Sequence, residues 1–366
     1  AGNHAGNSMG DLTDIVKRTT FPGRVRQFAA DHPGHALALA VGAAWAEQTR
    51  GGYAIAVVPE AQQHDPLVRA ALALADRLAL KNLITRSTVD PIIAVEQLGP
   101  RERQPVHLAS LPRDLSPPWP TTDVSAILSA CAAQESSVLL PARDARWGVN
   151  AAALLALAWI SSDGRRVVWE LPSGTPLTTW QAELEFIGRL QCALKIIVSG
   201  NNLPWPLLEC GGGRWWITCT AANDTHQLIP WMLAGEEPVI CGVVASQTHG
   251  IQNGPDCCML PGSSHVFAHG GPVTVLCTAL HADIAVAAAH ATGAAVLQLT
   301  WLHPAPLPTL LRLAVAGPLV VVGEDLARHL AALAALEPGL HSTLAACETN
   351  AIIAEVRSDA AAFRGQ

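Results

Sequence analysis

Charged residues are scarce in this sequence. Asp, Glu, Lys and Arg make up 14% of its 366 residues, whereas roughly 25% is usual for a soluble domain. So little charge implies that much of the surface is covered, which favours an oligomer, and we expect a homodimer. The 23 basic and 30 acidic residues give a net charge of −7 without forming a stripe or tail of one sign. A binding surface for nucleic acid or for an anionic membrane is therefore disfavoured.

Long apolar runs and a signal segment are also missing. No run approaches the ~18–20 residues that span a bilayer, and no basic-then-apolar segment opens the sequence. We therefore expect a cytoplasmic protein. The first eight residues, AGNHAGNS, precede the first Met and show no periodicity. We interpret residues 1–8 as a tag remnant and leave them out of the fold argument.

The nine cysteines lack the spacing of a metal or disulfide framework. No C-x-x-C pair occurs, and only Cys257 and Cys258 are adjacent. The sequence thus predicts reduced, structural thiols and no metal site built on cysteine. Eleven tryptophans stand against one tyrosine. They suit either wet interface rims or ordinary core packing, and the sequence leaves both interpretations open.

Alternating strand and helix patterns begin near residue 33. The segment PGHALALAVGAAWAEQ predicts a buried helix, YAIAVV a buried strand, LVRAALALADRL a second helix and NLIT a second strand. A strand, a crossover helix and a further strand form a βαβ unit with a parallel sheet. A proline-rich stretch, residues 111–122, is the best linker candidate.

Two further α/β blocks follow that linker. The second includes the predicted strands RRVVWEL, LKIIVSG and PVICGVV, and the third includes PVTVLCTAL, AVLQLTWLHP and PLVVVGED, with helices between them. A Gly/Pro/Ser-rich junction, residues 250–271, separates the two blocks. We predict an α/β protein of three domains, residues 9–115, 120–250 and 265–366, each with a mostly parallel, doubly wound sheet.

The order and spacing of these blocks resemble the transketolase family of thiamine-diphosphate enzymes, and within it the deoxyxylulose-phosphate synthases. The most specific match is GPVTVLCTALHADIAVAAAHATGAAVLQLTWLHPAPLPTLLRLAVAGPLVVVGED, which is similar to the family's C-terminal domain. RWWITCTAANDTHQLIPWMLAGEEPVICGV is similar to part of its pyrimidine-binding domain. The resemblance implies a shortened diphosphate-type first domain, a pyrimidine-type second domain and a transketolase-like third domain.

The resemblance also implies where a diphosphate and its Mg²⁺ would bind. The family's Gly-Asp-Gly turn falls on residues 57–61, VVPEA, where Glu60 keeps a carboxylate but the flanking Pro59 and Ala61 replace glycines. Proline lacks an N–H, and a Cβ blocks close approach of the backbone. The family's second metal ligand, an Asn, falls on residues 87–89, where no Asn stands. We therefore expect no thiamine diphosphate and no Mg²⁺.

Two other family features fall on identifiable positions. The glutamate that acts as proton partner of the cofactor falls on residues 146–149, which hold no acid, and Asp144 is the nearest carboxylate. We interpret Asp144 as a solvated loop residue. Gly34 and His35 match the Gly-His of the synthases' Gly-His-Ser-Ser segment. His35 is either a remnant of a phosphate or substrate contact or a helix-capping histidine. Gly34, His35 and Glu60 are the candidate cofactor-binding positions, and no residue is predicted to be catalytic.

Three functions remain open on this reading. The leading hypothesis is a non-catalytic, transketolase-like protein that serves assembly, scaffolding or regulation, since a fold does not carry function by itself. Its partners would be a second copy of the chain and possibly another protein. The rival is a thiamine-diphosphate-dependent transferase, which could be one subunit of a split enzyme whose missing groups come in trans. The third is a small-molecule sensor that uses the crevice at the carboxyl ends of the strands.

Overall fold

The computed structural model describes most residues of three segments of the chain, 32–87, 137–244 and 262–364. The described residues are 32–87, 137–140, 144, 146–190, 192–200, 203–209, 214–222, 225–244, 262, 264–268, 270–337, 339–340, 343–345 and 348–364. The predicted tag remnant, the linker and the predicted domain boundaries other than residue 265 lie outside these residues. The three-domain division therefore stays a prediction.

Helices and strands alternate along the described chain. The helices are α1 (Pro33–Glu47), α2 (Pro66–Arg77), α3 (Ala151–Ser162), α4 (Gln181–Gly188), α5 (Trp205–Glu209), α6 (Thr225–Ala234), α7 (Ala282–Thr292), α8 (Leu307–Ala316), α9 (Glu324–Leu336) and α10 (Thr349–Arg364). The strands are β1 (Ala54–Val57), β2 (Leu83–Arg86), β3 (Ser137–Leu140), β4 (Arg166–Leu171), β5 (Lys195–Ser199), β6 (Trp216–Ala221), β7 (Val239–Val244), β8 (His265–Ala268), β9 (Thr274–Cys277), β10 (Ala295–Gln298), β11 (Trp301–His303), β12 (Leu319–Val322) and β13 (Thr343–Ala345). The predicted class, α/β with parallel sheets, is confirmed.

The chain forms two compact units. Of the described residues, the first unit comprises 32–87, 144 and 146–164, and the second comprises 137–140 and those from 165 onward. In the first unit β1 and β2 pair in parallel, with Ala54 opposite Leu83, which confirms the predicted βαβ arrangement. Helices α1 and α3 pack so closely that a Cβ on Gly42 would lie 2.2 Å from the carbonyl oxygen of Ala156. Glycine at position 42 therefore sets the distance between these two helices.

The second unit contains two sheets. One has six strands in the order β11-β6-β7-β5-β4-β3, and the other has five in the order β13-β12-β9-β10-β8. Within these sheets β11 and β8 run antiparallel to their neighbours, whereas the other pairs are parallel. The strands buried on both faces are rich in Val and Ile, as in β7, whose six residues are all buried.

One predicted strand is divided between the two sheets. The segment AVLQLTWLHP was predicted as a single strand, but β10 ends at Gln298 in the five-stranded sheet and β11 begins at Trp301 in the six-stranded sheet. A continuous apolar run indicates burial and gives no information about which sheet buries it. Four short or terminal elements were also not predicted, namely α5, β8, β13 and α10.

The described residues include neither a membrane-spanning helix nor a cluster of metal ligands. Across the described ranges, no helix is both long enough and apolar enough to cross a membrane. Within those same ranges, no cluster of three or more His, Cys, Asp or Glu side chains is arranged to hold a metal ion. The cysteines with described side chains, Cys192, Cys219, Cys241 and Cys277, are buried free thiols.

A lysine is buried at the amino end of β5. The side chain of Lys195 is 0% exposed, and its Nζ donates a hydrogen bond to the carbonyl oxygen of Glu237. Burial, reinforced by the nearby Arg166 charge, lowers the pKa of Lys195 to about 7. The charged form is disfavoured because the interior cannot solvate an ammonium group as water does.

This lysine makes stability depend on pH. An unfolded lysine has a pKa of about 10.5, so above pH 7 the unfolded chain binds more protons at this site than the folded one. The free energy of unfolding should therefore rise with pH, by up to about 1.4 kcal/mol per unit. We expect Lys195→Met to flatten this rise between pH 7 and pH 8, below the ordinary thiol pKa of 9.0 at which unfolded cysteines ionise. Urea unfolding followed by circular dichroism measures the slope. The exposed Lys81 provides the control variant Lys81→Met, and equal slopes in wild type and Lys195→Met would contradict the assignment.

Candidate functional site

The candidate site lies in the first unit, where the N-termini of α1 and α2 meet. Helix α2 follows the carboxyl end of β1, after a short 3-10 helix at Glu60–Gln62. His32, just before α1, lies 3.5 Å from Asp65, just before α2, measured from Nε2 to Oδ2. The crevice at the carboxyl ends of parallel strands, with helix N-termini facing it, is the usual place for an anionic ligand in an α/β unit.

The N-terminus of α1 is capped from within the chain. His32 has extended backbone geometry, and its Nδ1 accepts a hydrogen bond of 3.1 Å from the Gly34 backbone N–H. The first helical residue is Pro33, which has no N–H to donate. A histidine that accepts at Nδ1 is neutral and carries its proton on Nε2, the atom that faces Asp65. The ring thus joins the two helix starts.

The N-terminus of α2 is capped in the same way. Oδ1 of Asp65 accepts hydrogen bonds from the backbone N–H groups of Leu67, at 2.8 Å, and Val68, at 3.1 Å. Pro66 occupies the first helical position. The carboxylate also places a negative charge at the positive end of the helix dipole, which is where a bound phosphate would lie. A diphosphate at this end would therefore compete with Asp65 for the same donors.

The predicted residues Gly34 and His35 lie in the first turn of α1. A Cβ on Gly34 would lie 2.7 Å from Cβ of Leu67, so the structure gives this glycine a packing role between α1 and α2. The ring of His35 lies 5.1 Å from the ring of His32, tilted by 43°. The histidine that caps α1 is His32, and the capping interpretation of His35 is corrected accordingly. The two predicted residues do adjoin the crevice, and their assignment as cofactor-binding positions stays a prediction.

Glu60 and its turn lie beyond the carboxyl end of β1. Glu60 is exposed and begins the 3-10 helix, with Pro59 before it. Val58 precedes Pro59, and its backbone N–H donates a 2.8 Å hydrogen bond to the carbonyl oxygen of Arg86. This N–H is therefore already paired. Neither Val58 nor Pro59 can thus donate a backbone N–H to a ligand. The role of Glu60 as a metal-ligand remnant stays a prediction.

The segment in which the family's glutamate was expected holds a tryptophan in the first unit. Trp147 is 1% exposed and packs edge-on against Trp45 of α1, with ring centroids 5.4 Å apart. Asp144 forms an ion pair with Arg146, with 3.0 Å between Oδ2 and Nη2. The hydrogen bond from Arg146 lowers the pKa of Asp144. Its side chain is 13% exposed, so Asp144 is a paired carboxylate and the solvated-loop interpretation is corrected.

His32 and Asp65 are not among the predicted site residues, although the sequence carries a recognisable signal for both. Each is a residue that can cap a helix and stands immediately before a proline, as His32-Pro33 and Asp65-Pro66. Proline at the first helical position with a side-chain acceptor before it is a typical helix start. The resemblance directed attention to Gly34 and His35, two and three residues further on.

Comparison with known proteins gives likenesses of backbone only. No protein-family model matches the chain, and no curated protein matches its sequence. One similar solved structure is a split-gene transketolase, described as an inactive beta4 tetramer, which is 13% identical with a TM-score of 0.48 over 89% of this chain and 98% of that chain. Another is a mutant transketolase from Pichia stipitis, which is 11% identical with a TM-score of 0.40 over 60% of this chain and 38% of that chain. At these values neither likeness assigns an activity to this chain.

We predict that the two caps stabilise the first unit measurably. Asp65→Ala removes two backbone hydrogen bonds and the favourable charge at the start of α2, so the free energy of unfolding should fall by about 1–2 kcal/mol. Asp65→Asn keeps an acceptor oxygen, so it should lower the free energy of unfolding by less than Asp65→Ala does. Hydrogen exchange across residues 66–77 measures the loss locally, and Asp76→Ala, an exposed acid on the same helix, is the control. Equal effects of Asp65→Ala and Asp76→Ala would contradict the capping role.

Proposed function

We propose that the chain is a non-catalytic, transketolase-like protein with three doubly wound α/β domains, which acts in the cytoplasm as a homodimer with a role in assembly or regulation. One observation carries the proposal: both helix N-termini at the candidate site are closed by the chain's own side chains, His32 and Asp65. The following arguments support it.

The candidate site suits a diphosphate poorly. A phosphate site at helix N-termini depends on free backbone N–H groups. Here the Gly34, Leu67 and Val68 groups are bonded to side chains, and both first helical positions are prolines. Asp65 also repels an anion at the position where the helix dipole would attract one. We therefore derive no catalytic step through thiamine diphosphate or Mg²⁺.

The chain also lacks a suitable acid–base group at the position where the resemblance places the family's glutamate. A proton partner works best with a pKa near the working pH. Asp144 has a lowered pKa and is held ionised by Arg146, while Trp147 offers no titratable group. The rival hypothesis, an enzyme completed in trans, would need the His32 and Asp65 caps to open and a partner to supply the missing acid.

Apolar surface supports an assembly role. Large apolar side chains are exposed in each unit, among them Tyr53 (48%) in the first and Val315 (85%) and Leu336 (78%) in the second. The low share of charged residues, 14% of the chain, points the same way. Protein interfaces are depleted in charged residues at their core. A second copy of the chain is the occupant that we propose for part of this surface.

The central test is the binding of thiamine diphosphate with Mg²⁺. A ligand present at a hundred times its dissociation constant stabilises the folded state by about 2.7 kcal/mol, which corresponds to a melting shift of a few degrees for domains of this size. We expect no shift at millimolar cofactor with Mg²⁺, compared with Mg²⁺ alone. An active transketolase run in the same assay is the positive control. A melting shift that Glu60→Ala abolishes would support the rival hypothesis of a thiamine-diphosphate enzyme, with Glu60 as a metal ligand.

The assembly part of the proposal has a separate test. We expect multi-angle light scattering at micromolar concentration to give about twice the chain mass of 38.4 kDa, because a homodimer of this kind should bury well over about 2,000 Å². A mass equal to one chain across that range would remove the homodimer while leaving the cofactor result unaffected.

A further inference from the structure

A cavity of about 200 Å³ lies in the second unit. Its floor comes from the carboxyl ends of two adjacent parallel strands: Thr278 and His281 follow β9, and residues 323–326 follow β12. Trp205, the first residue of α5, completes the wall. The cavity is smaller than the roughly 300–1,000 Å³ of drug-sized pockets, which suits a ligand the size of a small metabolite.

The cavity lies where the winding of the five-stranded sheet reverses. From β9 the chain passes through α7 to β10 on one side, and from β12 it passes through α9 to β13 on the other. Because parallel crossovers are right-handed, helices α7 and α9 leave the strands on opposite faces of the sheet. The loops after β9 and β12 therefore diverge and leave a crevice, which is the usual ligand position in an open α/β sheet.

Two polar atoms in the cavity walls have no hydrogen-bond partner among the described residues. Trp205 is 8% exposed, and its Nε1 is buried and unpaired, as is Nδ1 of His281. An unsatisfied buried donor or acceptor costs about 1–3 kcal/mol, so each such group in a cavity wall can bond to a complementary group of a ligand. Trp205 can only donate, whereas His281 Nδ1 donates or accepts according to its tautomer.

The charges around the cavity restrict the ligand further. Glu324 and Asp325 are among the lining residues and both face Arg328, whereas no lysine or arginine belongs to the described lining. Burial lowers the pKa of His281, which keeps its ring neutral at neutral pH. An anion would thus meet two carboxylates in the lining, while Arg328, the cation paired with them, is not part of that lining. An ammonium group would suit the carboxylates, but it has no lone pair to accept from Trp205.

We propose that this cavity binds a small, uncharged polyhydroxylated molecule, a free sugar or polyol. A hydroxyl group both donates and accepts, so one ligand can accept from Trp205, pair with His281 in either tautomer, and donate to Asp325. Trp205 and Leu326 supply the apolar walls that such ligands contact with their C–H groups. Gly323 is needed beside the ring, since its φ is +101° and a Cβ there would lie 2.8 Å from Cε1 of His281. This site is independent of the assembly role proposed above.

The test uses three molecules of similar size and different charge: glucose, gluconate and glucosamine. In protein labelled with ¹⁵N-tryptophan, the indole resonance that disappears in Trp205→Phe is that of Trp205. We expect glucose at millimolar concentrations to shift this resonance saturably. Gluconate should bind at least about tenfold more weakly, a difference of about 1.4 kcal/mol. Asp325→Asn removes one carboxylate from the lining, so it should reduce the difference in affinity between glucose and gluconate.

Variants separate this site from adventitious binding. Saturation-transfer signals from glucose should fall about tenfold in Trp205→Phe, since one buried hydrogen bond is lost. They should be unchanged in Trp180→Phe, where the tryptophan is likewise 8% exposed but lies outside the cavity. The proposal is overturned if glucose leaves the Trp205 resonance unmoved, if gluconate or glucosamine binds more tightly than glucose, or if the two variants behave alike.

Discussion

The second unit depends on a two-residue crossing between its sheets. The Leu299 N–H donates a 2.8 Å hydrogen bond to the carbonyl oxygen of Cys277, at the end of β9 in the five-stranded sheet. The next carbonyl, that of Thr300, accepts from the Cys219 N–H at 2.9 Å and from the Thr218 hydroxyl at 2.7 Å, both on β6 of the six-stranded sheet. Successive residues are thus bound to different sheets. Since buried backbone groups must be paired, this crossing fixes one sheet against the other.

The position of α9, and with it the cavity, follows from that crossing. Strand β11 begins directly after Thr300, and Trp301 is 0% exposed in the core against β6 and β7. His329 of α9 lies 2.9 Å from the Leu302 carbonyl oxygen, measured at Nε2. Burial lowers the pKa of His329 to about 4, so the ring is neutral and its Nε2 proton is donated to that carbonyl. One side of α9 is therefore tied to the six-stranded sheet, while its N-terminus stands at the end of β12 in the other sheet.

The regular parts of the fold follow from the sequence, and the crossing does not. Apolar runs of five to seven residues and helical spacing predict β1, α1, α2 and β12 because burial repeats along them. The run AVLQLTWLHP carries apolar residues on both sides of Thr300, so no pattern marks the change of sheet. The same limit applies to the candidate site. The resemblance led to Gly34 and His35, whereas the side chains that close the helix ends, His32 and Asp65, are identified by local chemistry, an acceptor before a proline.

The helices at the candidate site, α1 and α2, differ from the helix at the cavity, α9, in how their N-termini are capped. In the first unit, side chains cap α1 and α2. The backbone N–H groups of Gly34, Leu67 and Val68 donate to these caps. In the second, α9 begins after Gly323, which has no side chain to cap it, beside buried polar atoms that lack partners. Unpaired buried groups lower stability, and two of the six such side-chain atoms among the described residues, on Trp205 and His281, line the cavity. The resemblance predicts binding at the carboxyl ends of β1 and β2, whereas the cavity lies at the carboxyl ends of β9 and β12.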